Sequence, residues 1–165
     1  MTTSSTTRAA EFREALAQRV LVADGAMGTM LYSKGAFINR CYDELNLSLP
    51  ALVRDVHQEY VRAGADILET NTFGANRKRL GAFGFAEKVK LINRAGVRIA
   101  REAADKSTSS DKAFVAGAVG PLGVHLEPLG PTTMAEARDI FREQIDALME
   151  AGVDVLILET FHEVG

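Results

Sequence analysis

Two stretches of this chain echo each other. "RAGADILET" (Arg62 to Thr70) and "EAGVDVLILET" (Glu150 to Thr160) share one plan. A glycine stops a helical pattern, an aspartate follows, and an apolar run ends in Glu-Thr. A short apolar run after a glycine stop suits a buried strand entered from a crossover helix. The two glycines, Gly64 and Gly152, stand 88 positions apart (152 − 64). Two strand–helix units fit between them, at about 44 residues each, above the roughly 31 per unit of a 250-residue (β/α)8 barrel.

The rest of the chain keeps the alternation. Strands are expected near 20–23, 66–70, 114–119 and 153–159. They should be parallel, in the order 1-2-3-4, with their crossover helices on one face. Residues 2–7 are all Thr or Ser and read as a frayed tail. Ala9, Phe12 and Leu16 share one helical face, so a helix is expected from about Arg8 to Gln18. Ser48 can cap a further helix with Pro50 in its first turn and Leu52, Val53, Val56 and Tyr60 inward. Val89, Ile92, Gly96, Ile99 and Ala103 mark another. Thr133 and Glu136 have capping-box spacing and open a helix with Phe141, Ile145 and Leu148 inward. The expected class is α/β, the N-terminal half of a (β/α)8 barrel. Residues 1–18 form a tail and helix, and 19–165 a partial barrel domain that stops after strand four.

Composition narrows the function. Net charge is −3, from 19 basic and 22 acidic residues, which does not suit a nucleic-acid partner. No apolar run approaches the ~20 residues of a membrane helix, and the N-terminus lacks a signal-peptide core. One cysteine, Cys41, excludes an internal disulfide and suits a reducing cytosol. A cytoplasmic chain without a membrane partner is expected.

In parallel α/β folds the site lies at the C-terminal strand ends. Asp24, Glu69 with Thr70, Gly120, and Glu159 with Thr160 stand there. Three carboxylates that converge need a cation, a ligand ammonium, a metal or strong hydrogen-bond donors. Beside Asp24, "GAMGT" (Gly25 to Thr29) reads as a glycine loop whose backbone N–H groups can approach an anion. Together they complement the head group of an amino acid. His57, His125 and His162 lack any tight ligand spacing, and Cys41 reads as a small buried side chain, so no metal ligand is assigned.

"DGAMGTML", "CYDELNLSLP", "AGADILETNTFGAN", "GAVGPLG" and "AGVDVLILETF" together resemble the homocysteine S-methyltransferase family. That family includes the homocysteine module of cobalamin-dependent methionine synthase. The spacing looks closest to the bacterial bifunctional type joined to a methylenetetrahydrofolate reductase. The resemblance covers about residues 19–165 and implies a (β/α)8 barrel. In it, a zinc-bound homocysteine thiolate takes a methyl group and becomes methionine. It implies that Asp24 and Glu159 hold the substrate ammonium, that Gly25, Ala26, Met27, Gly28 and Thr29 lie near its carboxylate, and that Glu69, Thr70 and Asn71 line the pocket. The family's three zinc cysteines, one alone and then an adjacent pair, have no counterpart here. The implied partners are homocysteine and a methyl donor that the sequence does not identify. A second half-barrel, or a reductase domain, is expected beyond this sequence. Two other readings stay open: a Mg²⁺ site built on Asp24, Glu69 and Glu159, and a non-catalytic half-barrel that pairs with another chain.

Overall fold

The computed structural model describes residues 7–106 and 112–161. Three strands form one parallel sheet in the order β1 (Ile67–Glu69), β2 (Phe114–Val119), β3 (Val155–Leu158). Ile67 pairs with Phe114, and Ala116 with Val155. The sheet is fed by α1 (Arg8–Gln18), α2 (Met27–Ser33), α3 (Leu45–Ser48), α4 (Pro50–Arg62), α5 (Arg77–Gly81), α6 (Val89–Ala104) and α7 (Met134–Glu150).

The expected first strand is a correction. Residues 20–23 make no strand, only a parallel bridge from Ala23 to Ile67. The backbone does lie beside β1: Asp66 N–H donates to Val22 O at 2.7 Å, and Asp24 N–H to Ile67 O at 2.9 Å. Val20 and Val22 are 84% and 57% exposed, so the apolar run is not buried either. A run of β-branched residues makes a strand only where a ladder and a cover exist. Here the ladder is one-sided among the described residues.

Alternation along the strands sorts two faces. Leu68, Val115 and Val119 pack with Val97, Ala100, Ala103, Ala104 and Leu148 into the main core. Helices α4, α6 and α7 cover this face side by side, as parallel crossovers require. Gly117 lets α7 come close, since a Cβ there would meet Leu148 at 3.2 Å and Leu156 at 3.0 Å. Helix α1 departs from the one-face expectation. Its Phe12 packs edge-on against Phe114 at 5.2 Å, and Arg8 lies over the same ring. Phe114 alternates with Val115, so α1 closes the N-terminal end of the opposite face.

The caps explain most helix boundaries. Thr7 is no part of a frayed tail: its hydroxyl accepts from Ala10 N–H and caps α1. The other tail residues lie outside the described residues. Thr133 caps α7 by accepting from Glu136 N–H at 3.1 Å, while the Glu136 carboxylate pairs with Lys78. Ser48 does not cap α4. It ends α3 and donates to Glu44, and Leu49 stands at the cap position without a side-chain bond. No helix among the described residues is long and apolar enough to cross a membrane.

Candidate functional site

The face opposite the main core carries Ile67 and Glu69, then Phe114, Ala116 and Ala118, then Val155, Ile157 and, one step past β3, Glu159. At its C-terminal end a cavity of about 610 Å³ opens. Asp24, Gly25, Ala26, Met27, Gly28, Glu69, Thr70, Asn71 and Glu159 line it. Thr29 does not. It lies on the exposed side of α2, because "GAMGT" is no loop throughout: Met27 already starts that helix.

The carboxylates converge. Glu69 N–H donates to both oxygens of Asp24 at 3.1 Å each. Even so, burial raises the Asp24 carboxyl to about 7, with the charges of Glu69 and Glu159 adding to it. Glu69 is raised by burial and then by Glu159, which both repels it and hydrogen-bonds to it. The end of the cavity therefore holds more acid groups than it can ionise comfortably, and a cation relieves it.

Neighbouring polar groups are already committed. Thr72 donates to Ala118 O at 2.9 Å, so in its 2.6 Å contact with Thr70 the Thr70 hydroxyl is the donor. Thr70 also accepts from Ala118 N–H. Asn71 gives both amide protons away, to Tyr42 O at 2.7 Å and Asn46 Oδ1 at 3.0 Å. Asn46 returns a bond to Asn71 O. Thr70 and Asn71 thus shape the wall and tie it to the 42–46 segment. Glu69 alone of the three points acid chemistry at the cavity. Tyr60 donates to Ala26 O at 3.2 Å and steadies the approach to α2.

The connecting segments add residues that the strand-end argument did not single out: Arg40, Cys41, Tyr42, Asp43, Thr72, Phe73, Gly74, Arg79 and Phe83. No periodicity marks them, since their position depends on how loops fold back over the sheet. Cys41 is buried, as its small side chain suggests, and its thiol is pushed up to about 11 by burial and the adjacent Asp43. Asp43 itself is raised by burial to about 6, although Gly74 N–H donates to it at 2.9 Å.

These residues do not suit the zinc that the family implies. Among the described residues no three of His, Cys, Asp or Glu are grouped to hold a metal ion. The one cysteine, Cys41, lies in no such group. Nor do Asp24, Glu69 and Glu159 form a ligand set for the Mg²⁺ reading. His57 is fully buried, neither ring nitrogen has a partner among the described residues, and burial lowers it to about 4, so it is a neutral core residue. His162 lies outside the described residues.

Known proteins carry the same pattern. Residues 21–164 match the family described as homocysteine S-methyltransferase. The methionine synthase of Mycobacterium leprae is 38% identical over 158 residues, which are 92% of this chain and 13% of that protein. The methionine synthase of Mycobacterium tuberculosis is 37% identical over the same length. The metallated form of the homocysteine methyltransferase MmuM from Escherichia coli superposes with a TM-score of 0.76 at 28% identity, over 90% of this chain and 56% of that one. This chain thus spans about half of that structure and a small part of the synthases. With the acid-lined cavity in place at its strand ends, the chain belongs to the homocysteine S-methyltransferase family.

Proposed function

We propose that this chain forms the amino-acid-binding part of a homocysteine S-methyltransferase. The observation that carries the reading is the acid end of the cavity, with Asp24 raised to about 7 beside Glu69 and Glu159. An ammonium has three N–H donors for three carboxyls, and its charge favours their ionised forms. Backbone from Gly25 to Gly28 borders the same space and is our candidate for the substrate carboxylate. Thr70 and Asn71 hold the wall rather than the ligand. Methylation of the homocysteine thiol is the activity of the whole enzyme. The zinc cysteines that the resemblance implies are absent from this sequence, so the chain by itself is expected to make no methionine.

Exposed apolar side chains along both outer edges, Val20 and Val22 on one and Leu158 on the other, support completion of the sheet by further structure. The chain is therefore expected to self-associate when expressed alone, which sedimentation measures.

Calorimetric titration tests the binding. At pH 8, homocysteine should bind at least tenfold more tightly than 4-mercaptobutyrate, which keeps the thiol and carboxylate and lacks the ammonium. Asp24→Asn should remove that preference. Equal affinity for the two compounds would contradict the assignment.

A further inference from the structure

The cavity lining includes cations as well as acids. Arg79 is one of these cations, exposed at the rim. Its guanidinium lies over the Phe73 ring at 5.3 Å. Two glycines make room for its stem. A Cβ on Gly74 would stand 3.1 Å from Arg79 Nε, and one on Gly123 would stand 3.1 Å from Cγ. A third, Gly120, makes room for Phe73 itself, since a Cβ there would collide with the ring. Phe73 and these glycines border the side chain.

It is also uncommitted. Every cation in the ion pairs of the described residues is some other residue, and the side chain of Arg79 has no hydrogen bond among them. Asp43 feels its charge but receives its own hydrogen bonds from Gly74 N–H and the Cys41 thiol. Arg40, the other cation lining the cavity, is paired with Glu44. A guanidinium with its N–H fork unused can bind a carboxylate or phosphate bidentately. The space is also large for homocysteine, which has only eight non-hydrogen atoms, since about 300–1,000 Å³ is typical of drug-sized ligands.

Building on the proposed function, we propose that Arg79 is the anion-binding subsite for the second substrate. It would hold a carboxylate or phosphate of the methyl donor while the acid end holds the homocysteine ammonium. The acids and the guanidinium would then receive groups of opposite charge. Phe83, 48% exposed on the same wall, offers an apolar surface to the rest of the donor.

The test titrates the ¹⁵N-labelled chain with three probes that carry no ammonium: glutarate, inorganic phosphate and 5-methyltetrahydrofolate. The expected result is saturable change at the Gly74 and Gly123 amides and the Arg79 Nε–H. Glutarate against phosphate separates carboxylate from phosphate recognition, and the folate adds the contribution of a flat ring. Arg79→Met should weaken binding at least tenfold, and Arg79→Lys should recover only part of it. Because Arg79 makes no ion pair, the variant is expected to keep the wild-type amide spectrum elsewhere. The wild-type map decides the matter even without the variant. No saturable change at those signals, or unaltered affinity in Arg79→Met, would overturn the proposal. Homocysteine titrated in the same samples reads the acid end separately, so failure there with anion binding intact counts against the amino-acid site alone.

Discussion

The two echoing stretches enter the sheet in the same way and leave it differently. After α4 and α7 the chain turns at Gly64 (φ +95°) and Gly152 (φ +88°). Each then sets an aspartate on the neighbouring backbone segment. Asp66 accepts from Val22 N–H at 2.9 Å, and Asp154 from Val115 N–H at 2.8 Å. Each aspartate also receives a two-pronged arginine, Arg19 for Asp66 and Arg101 for Asp154. The shared Gly-x-Asp is therefore a clamp that stitches a new strand to the backbone segment beside it. At the exits the likeness ends. Thr70 is 3% exposed and bonded into β2. Thr160 is exposed with φ +62°, a left-handed conformation that a β-branched residue rarely adopts. The entry depends on a neighbouring backbone segment, which both units have: Val22 beside β1 and β2 beside β3. The exit depends on the strand after, which β3 lacks among the described residues.

The largest difference should appear between the two clamps. The Asp154 side chain is 3% exposed and that of Asp66 21%. Asp154→Ala leaves the buried Val115 N–H without its acceptor and takes two bonds from Arg101, which keeps only Gly152 O, and should cost ~3 kcal/mol in urea unfolding. Asp66→Ala should cost about 1 kcal/mol, because water can replace what is lost. Equal losses would mean that burial does not separate the clamps.

The exits come next. Thr70→Ala strands the Ala118 N–H in the core and should cost ~1–3 kcal/mol. Thr160→Gly removes a strained backbone and should be neutral or stabilising by up to ~1 kcal/mol, the glycine's added freedom when unfolded offsetting part of the gain. A Thr160→Gly loss as large as that of Thr70→Ala would show that the second exit is bonded after all.

The smallest effect sharpens what the units share. At neither Gly64 nor Gly152 would a Cβ meet anything within 4 Å. Alanine at each should cost only the left-handed backbone, ~1–2 kcal/mol, and the two values should agree within ~0.5 kcal/mol. A clear inequality would break the equivalence of the entries.

The same contrast explains what the sequence disclosed. Helices α1, α4, α6 and α7 were legible because apolar spacing, Pro50 and the terminal glycines are local signals. The acid end was legible because strand ends in parallel sheets gather, whatever the loops do. "VLVA" misled because β-branched residues record a preference for strands and not the presence of neighbours. "GAMGTM" hid a helix because its glycines argue for a loop, and α2 has no side-chain cap to contradict them. Arg79 and Asp43 were invisible because their place comes from glycines and loops distant in sequence.

The central claim is that the acid end awaits an ammonium, and the carboxyl of Asp24 reports on it directly. The measurement is its titration by ¹³C NMR, with and without saturating homocysteine. The free protein should show Asp24 near 7, raised chiefly by burial. An acid raised in the folded state makes folding less favourable as pH rises from its unfolded value of about 4 toward 7, since the folded form holds the proton more tightly. Bound ammonium has the opposite sign. It favours the carboxylate, so saturation should lower the Asp24 value by at least one unit, and homocysteine should bind more weakly as pH falls below 7. An Asp24 that titrates near 4 in the free chain, or one that homocysteine leaves unmoved, would contradict the account.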